Sequence, residues 1–399
     1  MPAIYRLDQP TSLAEGGGKW LGLTRLHALG APVPPALCVG ATAFRELLSS
    51  QGLRPVIEEL GTAEDARLPE LSERIRQRIA SAPLEPKLAS LLRTARATLW
   101  DGPVAVRSSA TAEDREDASF AGQYDTLLDV RGESQLIAAL TTCWASAFAE
   151  RAVVYRRNAG LSHADVAMAV VIQEMVAATI SGVAFTQHPV DARPIMLFEA
   201  CRGLGEALVS GSINPDRFEV SRSGNCVESL ASDADTGLAA DRLLRMRDLF
   251  LQLEAAFGFP LDLEWSWRDD ALFVLQARPI TTSVARPQSI ASSTPGALYG
   301  AAASPGQAEG TARVLLDPDQ DELDPGDILV TPFTDPSFMR HFRMAAALVM
   351  EHGGMLSHGA IVARECGIPA VIGVGDATTR IATGVEIRVD GNAGEVTLL

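Results

Sequence analysis

The sequence is poor in basic residues, in paired cysteines and in long apolar runs, and each shortage removes a class of function. The 34 Lys and Arg face 50 Asp and Glu, a formal charge of -16, so the chain as a whole repels nucleic acid and anionic lipid. Neither nucleic acid nor membrane is therefore expected as a partner, and any anionic ligand needs a local basic site. The five cysteines, Cys38, Cys143, Cys201, Cys226 and Cys366, are odd in number and form no C-x-x-C pair. That argues against a disulfide framework or a thiolate zinc site and suits buried thiols. The opening MPAIYRLDQP lacks a basic stretch followed by an apolar run, and no segment approaches the ~18 apolar residues of a membrane span. A cytoplasmic location is the resulting expectation. No repeat of fixed period occurs, and no G-x-x-x-x-G-K-[ST] phosphate loop.

What is present suits a large, ordinary core. With 399 residues, 47% of them hydrophobic, the chain is long enough for two or three domains. From Lys19 to about Thr282, helical spacing as in FRELLSSQGLRPVIEEL alternates with short buried strands such as VAMAVVIQEMV. This predicts one mixed α/β (α+β) region, residues 1–285. The run SVARPQSIASSTPGALYG has linker composition, which places a flexible linker at 286–297. Beyond it, GTARVLL, DILVTPF, AAALVM, PAVIGV, VEIRVDG and GEVTLL read as short strands, with one helix at AIVARECG. Residues 298–399 are thus expected to form a compact α/β domain.

Within that domain, AAALVMEHGGMLSHGAIVARECGIPAVIGV reads as a strand, a loop opened by Gly353 and Gly354, and a helix from near His358 to Gly367. A histidine at a helix N-terminus sits beside unpaired N–H groups and the positive end of the helix dipole, which favour an anion on its ring. Gly359 and Ala360 read as leaving room beside the ring for a bulky phosphoryl donor. The plain alternative is a structural or capping histidine. His352, six residues earlier, reads as structural.

Three further blocks suit a nucleotide. GGGKWLGLTRLHALGAPVPPALCV offers a glycine-rich turn and Lys19, then a helix; alone, it is equally a turn with a solvated lysine. VAVRSSATAEDREDASFAGQYDTLLDV places Arg107 at a strand end before small hydroxyl residues, and a guanidinium there offers paired donors to phosphate oxygens. DLEWSWRDDALFVLQARPIT reads as a hairpin carrying Glu264, Gln276 and Arg278. A carboxylate and an amide oxygen suit Mg2+, and Arg278 suits charge neutralisation during transfer. A surface hairpin with an ion pair is the alternative.

GGMLSHGAIVARECGIPAVIGV closely resembles the phosphohistidine signature of the pyruvate phosphate dikinase, phosphoenolpyruvate synthase and rifampin phosphotransferase superfamily. The N-terminal blocks resemble, in order, its ATP-grasp domain, and together they cover nearly the whole chain. The resemblance implies an ATP-grasp domain followed by a small swivelling domain, and a dikinase-type phosphotransferase in which the β-phosphoryl group of ATP passes to His358. It implies that Lys19 and Arg107 contact phosphates, Gly122 and Thr126 line a lid, and Gln173 lies near the adenine or ribose. Glu264 and Gln276 would hold Mg2+, with Arg278 at the phosphates. Gly359, where dikinases usually have Ala, resembles the rifampin phosphotransferase version. The block ACRGLGEALVSGSINPDRF also matches the family, without roles that its residues reveal. Neither a pyruvate-binding barrel nor a drug-binding domain is legible. The acceptor, a small-molecule hydroxyl or enolate, is then expected on these two domains or on an acceptor protein in trans; a homodimer is plausible from the family. A relay subunit and a nucleotide-sensing regulator are the competing functions.

Overall fold

The computed structural model describes residues 4–97, 102–111, 124–158, 160–189, 192–232, 234–280, 296–318, 322–355 and 357–399. The expected linker at 286–297 lies outside the described residues up to 295. The chain forms two compact units, Met1–Ala177 with Leu272–Arg278, and Ala178–Ala271 with Pro279–Leu399.

The first unit is built on an antiparallel sheet in the spatial order Ile4–Arg6, Ala36–Val39, Met168–Glu174, Val104–Ala110, Thr126–Val130. Its central strands are apolar on both faces, and alternation sorts the residues. Leu37, Val39, Val104, Val106, Met168, Val170 and Ile172 join a core with Phe44, Leu71, Ile75, Trp144 and Phe148 from a helical layer. Ala36, Cys38, Ala169 and Val171 instead pack on Trp20 and Leu23 of the helix Leu13–Ala28. A strand covered on both sides has no polar face, which is why VAMAVVIQEMV reads as continuously hydrophobic.

Against the expectation that no segment approaches a membrane span, the stretch Gly132–Arg157 is apolar and long enough to cross one by length and composition, and 67% of its most apolar window is buried in the fold. It runs as the helices Gly132–Ser146 and Glu150–Asn158 and supplies Leu136, Leu140, Trp144 and Val153 to the core. Among the cysteines, Cys38, Cys143 and Cys201 are buried as expected, whereas Cys226 and Cys366 are exposed.

The second unit holds two sheets. In the first, Leu261–Arg268, Ile180–Phe185, Ile195–Arg202, Asp216–Ser221 and Val227–Ser232 pair antiparallel in that order. The helix Ala240–Phe257 packs on it, with Phe250 stacked on Phe198 at 6.1 Å between ring centroids. In the second, Gln307–Val314, Ile328–Thr331, Ala347–Met350 and Ala370–Ile372 run parallel, flanked by antiparallel strands. The six strands read from the sequence after residue 298 are all present. Leu298–Tyr299 and Ala301–Ser304 add two more at its edges.

Two local features of the first unit generate predictions. The glycine-rich segment is not a turn ahead of a helix, as expected, but a kink inside one: Gly17 has φ 72, and a Cβ there would lie 2.3 Å from the Ser109 carbonyl oxygen. Gly17→Ala combines that clash with left-handed strain and should destabilise the unit by on the order of 2 kcal/mol or more. An unchanged midpoint of the first unfolding transition in urea would refute the close approach. His163, 5% exposed, accepts at Nδ1 from Arg156 Nε at 3.2 Å. Burial, then Arg156 and Arg157, push its pKa down from 6.5 to about 4. The unfolded chain therefore binds a proton that the folded chain refuses, so this contribution is full above about pH 6.5 and is lost as pH falls towards 4. Urea titrations across that range should show a shallower fall in stability for His163→Gln than for the natural chain.

Candidate functional site

The nucleotide-binding candidates gather on the sheet face that carries the helix Leu13–Ala28. Val104 and Val106 enter the helical-layer core, so alternation turns Arg107 to the other face. Arg107 stands in the middle of Val104–Ala110, not at the strand end as expected, with Thr126 and Val171 as its register partners. Two positions along the same central strand, Gln173 is 3% exposed and donates through Nε2 to the Leu275 carbonyl at 3.3 Å. Lys19 reaches this face because the Gly17 kink seats the helix on Ser108 and Ser109. Its Nζ donates to Ser108 O at 2.8 Å, while Ser109 Oγ donates to Gly16 O at 2.8 Å and accepts from Trp20 N at 3.3 Å.

Leu272–Arg278 returns to the first unit and completes this arrangement. The Gly22 Cα faces the Ala277 carbonyl so closely that a Cβ would meet it at 2.5 Å. Gln276 is 4% exposed, and among the described residues its Oε1 has no hydrogen-bond partner. A buried amide oxygen left without a donor costs about 1–3 kcal/mol, and a hard cation that prefers oxygen ligands would relieve it. That oxygen is of the kind that Mg2+ takes as a ligand. Arg278 follows two residues on, half-buried, on the same side of the strand by alternation. Glu264 lies half-buried on Leu261–Arg268, in the second unit. Gly122 lies outside the described residues. Among those residues no cluster of three or more His, Cys, Asp or Glu side chains is placed to hold a metal.

His358 sits at the carboxyl ends of parallel strands, where open α/β sheets leave a crevice. It is the first residue of the helix His358–Cys366, behind the N-cap Ser357, whose side chain accepts from Ala360 N at 3.4 Å. The helix ends at Gly367, φ 68, as its sequence indicates. The imidazole is 8% exposed, lies edge-on to Phe342 at 6.0 Å, and its Nδ1 is 3.2 Å from Thr334 Oγ1. Thr334 is 1% exposed and also approaches Met350 Sδ at 3.6 Å.

This packing corrects the reading of Gly359. The space is not open to a phosphoryl donor: a Cβ there would fall 2.3 Å from Met350 Sδ and 2.7 Å from Thr334 Oγ1. Glycine is present because those two side chains already fill the volume. Arg364 holds the loop in front of the helix, donating to Met355 O at 2.7 Å and Ala303 O at 3.0 Å. His352, half-exposed, stands 4.0 Å from Glu351. Thr334 and Met350 were missed from sequence. TPFTDP signals a turn, but nothing in it indicates that its second threonine meets a histidine 24 residues later.

Comparison with known proteins places these features in a family. The family described as pyruvate phosphate dikinase, AMP/ATP-binding domain, matches residues 14–240 and 226–295, and that of the PEP-utilising enzyme, mobile domain, matches 323–394. A probable phosphoenolpyruvate synthase of Methanothermobacter thermautotrophicus is 35% identical over 95% of this chain and 61% of its own length. One from Archaeoglobus fulgidus is 34% identical over 99% of the chain and 58% of its own. The phosphoenolpyruvate synthase of Aeropyrum pernix is 33% identical over 95% and 56%. The chain therefore spans about three fifths of the length of these curated relatives. With a family match over more than half its residues, the chain belongs to the pyruvate phosphate dikinase and phosphoenolpyruvate synthase superfamily, an ATP-grasp-like nucleotide-binding domain followed by a PEP-utilising mobile domain.

Proposed function

We propose that the chain is an ATP-dependent phosphotransferase of dikinase type, with paired acceptors, that carries phosphate on His358. The observation that carries this reading is the imidazole at a helix N-terminus with its Nδ1 3.2 Å from Thr334 Oγ1, in a domain of PEP-utilising type. When Nδ1–H donates to that hydroxyl, the lone pair lies on Nε2, which becomes the nucleophile. Nε2 forms a bond to the β-phosphorus and the α–β bridge breaks, releasing AMP. Water then cleaves the β–γ bond and frees inorganic phosphate, leaving one phosphoryl group on the ring. Thr334 Oγ1 steadies the positive charge that the ring acquires, and the helix N-terminus favours the phosphoryl oxygens. The choice of the β position rests on family membership; an ordinary kinase moves the γ group.

The basic groups this needs are local, as the acidic whole requires. Lys19, Arg107 and Arg278 contact the phosphates, Gly122 and Thr126 line the lid, and Gln173 lies by the adenine or ribose. Glu264 and Gln276 are the residues that would hold Mg2+, which would neutralise phosphate charge when bound. The second acceptor is a small-molecule hydroxyl or enolate, in keeping with relatives named for phosphoenolpyruvate synthesis. Delivery to a separate acceptor protein is the alternative within the same chemistry.

With ATP labelled separately at the β and γ positions, label on the protein should come from β, survive base, disappear in acid and be absent in His358→Ala. AMP and phosphate should accumulate, and γ label on His358 with ADP as product would sink the dikinase reading. Arg107→Ala and Glu264→Ala should each cut the initial rate of phosphoprotein formation by on the order of a hundredfold. Normal charging in both variants would show that the nucleotide site is wrongly assigned. Steady AMP release with a small acceptor supports direct transfer, whereas a single turnover that stalls at phosphoprotein points to the relay.

A further inference from the structure

The block ACRGLGEALVSGSINPDRF, which motif reading leaves without a role, meets the loop that carries His358 together with Glu199, the residue just before it. Glu199, on the strand Ile195–Arg202, is 0% exposed. Its two carboxylate oxygens both accept from the backbone N–H of Met355, at 2.8 and 3.0 Å. Arg217, its register partner on the next strand, brings Nε to 3.5 Å from the same carboxylate. Asn214 Oδ1 accepts from Gly353 N at 3.2 Å. The fit is close enough to explain two glycines: a Cβ on Gly354 would lie 2.3 Å from Glu199 Oε2, and one on Gly211 2.8 Å from Ser357 Cβ.

These contacts join the two family domains. Glu199, Gly211, Asn214 and Arg217 fall inside the AMP/ATP-binding match, whereas Gly353 to His358 fall inside the mobile-domain match. A domain that must dock and leave repeatedly is poorly served by an apolar patch, which would be exposed at every departure. A carboxylate and a backbone amide each exchange their mutual bond for one to water, so docking and release differ little in free energy. Glu199 is nevertheless selective. With the loop in place its charge is shielded from water, and the Met355 amide donates to both of its oxygens.

We infer that Glu199 is a positioning residue: with Arg217 and Asn214 it docks the Gly353–Met355 loop on the AMP/ATP-binding domain, and the rate at which His358 is charged depends on that docking. The activity side of the inference rests on the proposed phosphotransfer; the docking side does not.

Two variants test it, Glu199→Gln, which keeps the shape and removes the charge, and Gly354→Ala, which leaves Glu199 intact and obstructs it. In the full chain, amide exchange of a peptide spanning 353–357 should accelerate about tenfold or more in both, as expected for loss of a charge-assisted bond. Peptides covering the strands Ala347–Met350 and Met168–Glu174 should exchange as before. Single-turnover charging of His358 from ATP should fall by a similar factor with the KM for ATP unchanged. Unaltered exchange at 353–357 in both variants overturns the docking role, as does equal acceleration at Ala347–Met350, which would mean general loosening of the mobile domain. Faster loop exchange with undiminished charging overturns the dependence of charging on this docking. If the natural chain forms no phosphoprotein at all, the proposed function fails, and the exchange experiment still decides the docking.

Discussion

The contact between Thr334 Oγ1 and His358 Nδ1 is the constraint around which the His358 end of the second unit is arranged. A neutral imidazole presents one donor and one acceptor, so fixing one nitrogen fixes what the other can do. Thr334 can serve this purpose because it leaves the end of Ile328–Thr331, a strand hydrogen-bonded to Ala347–Met350, which in turn launches the His358 loop. Met350, the last residue of that neighbouring strand, backs both Thr334 and the missing side chain of Gly359. Ser357 then starts the helix, and Arg364 ties its last turn to the loop through Met355. Each element is modest in energy, about 1 kcal/mol for a hydrogen bond or a cap. Their combined effect is one ring orientation at one helix terminus.

What was legible in the sequence follows from how local each feature is. His358, the boundaries of its helix and the strands around it are written in contiguous patterns: an N-cap serine, a glycine stop, short β-branched runs between turns. Gly17 was misread because a glycine triplet signals a turn equally well whether it precedes a helix or kinks one. Only the close approach of Ser109, ninety-odd residues later in the chain, decides between them. Arg107 was placed at a strand end because the small residues after it look like a loop. Ser108, Ser109 and Ala110 in fact continue the strand, since small side chains are what lets the Gly17 segment lie against it. The exposed Cys226 and Cys366 show the same limit, because a lone cysteine carries no local signal of its depth.

The docking block was the least legible part, and for a physical reason. Glu199 meets Met355 across 156 positions and Asn214 meets Gly353 across 139. Read alone, Glu199 sits in an otherwise apolar strand, where a carboxylate breaks the pattern without naming its partner. A buried charge is costly unless something satisfies it. Such a residue in a strand such as IMLFEACR is therefore the one sequence signal that a distant donor must exist.

The overall charge gives that local arrangement further weight. ATP is an anion approaching a chain with a formal charge of -16, and the long-range field opposes the encounter. At physiological ionic strength that field decays over about 8 Å, so binding is decided by groups within the site. Lys19, Arg107 and the Gln173–Leu275 contact share one sheet face, and Gln276 presents its unsatisfied oxygen on the strand that Gln173 touches. A magnesium ion held there would reduce the charge that the nucleotide brings and would relieve the buried oxygen. The same economy of charge suits the carrier role proposed for His358. A neutral imidazole that becomes positive only when it takes up the phosphoryl group does not add a permanent cation to the mobile domain, and it holds the anion only while the covalent bond exists.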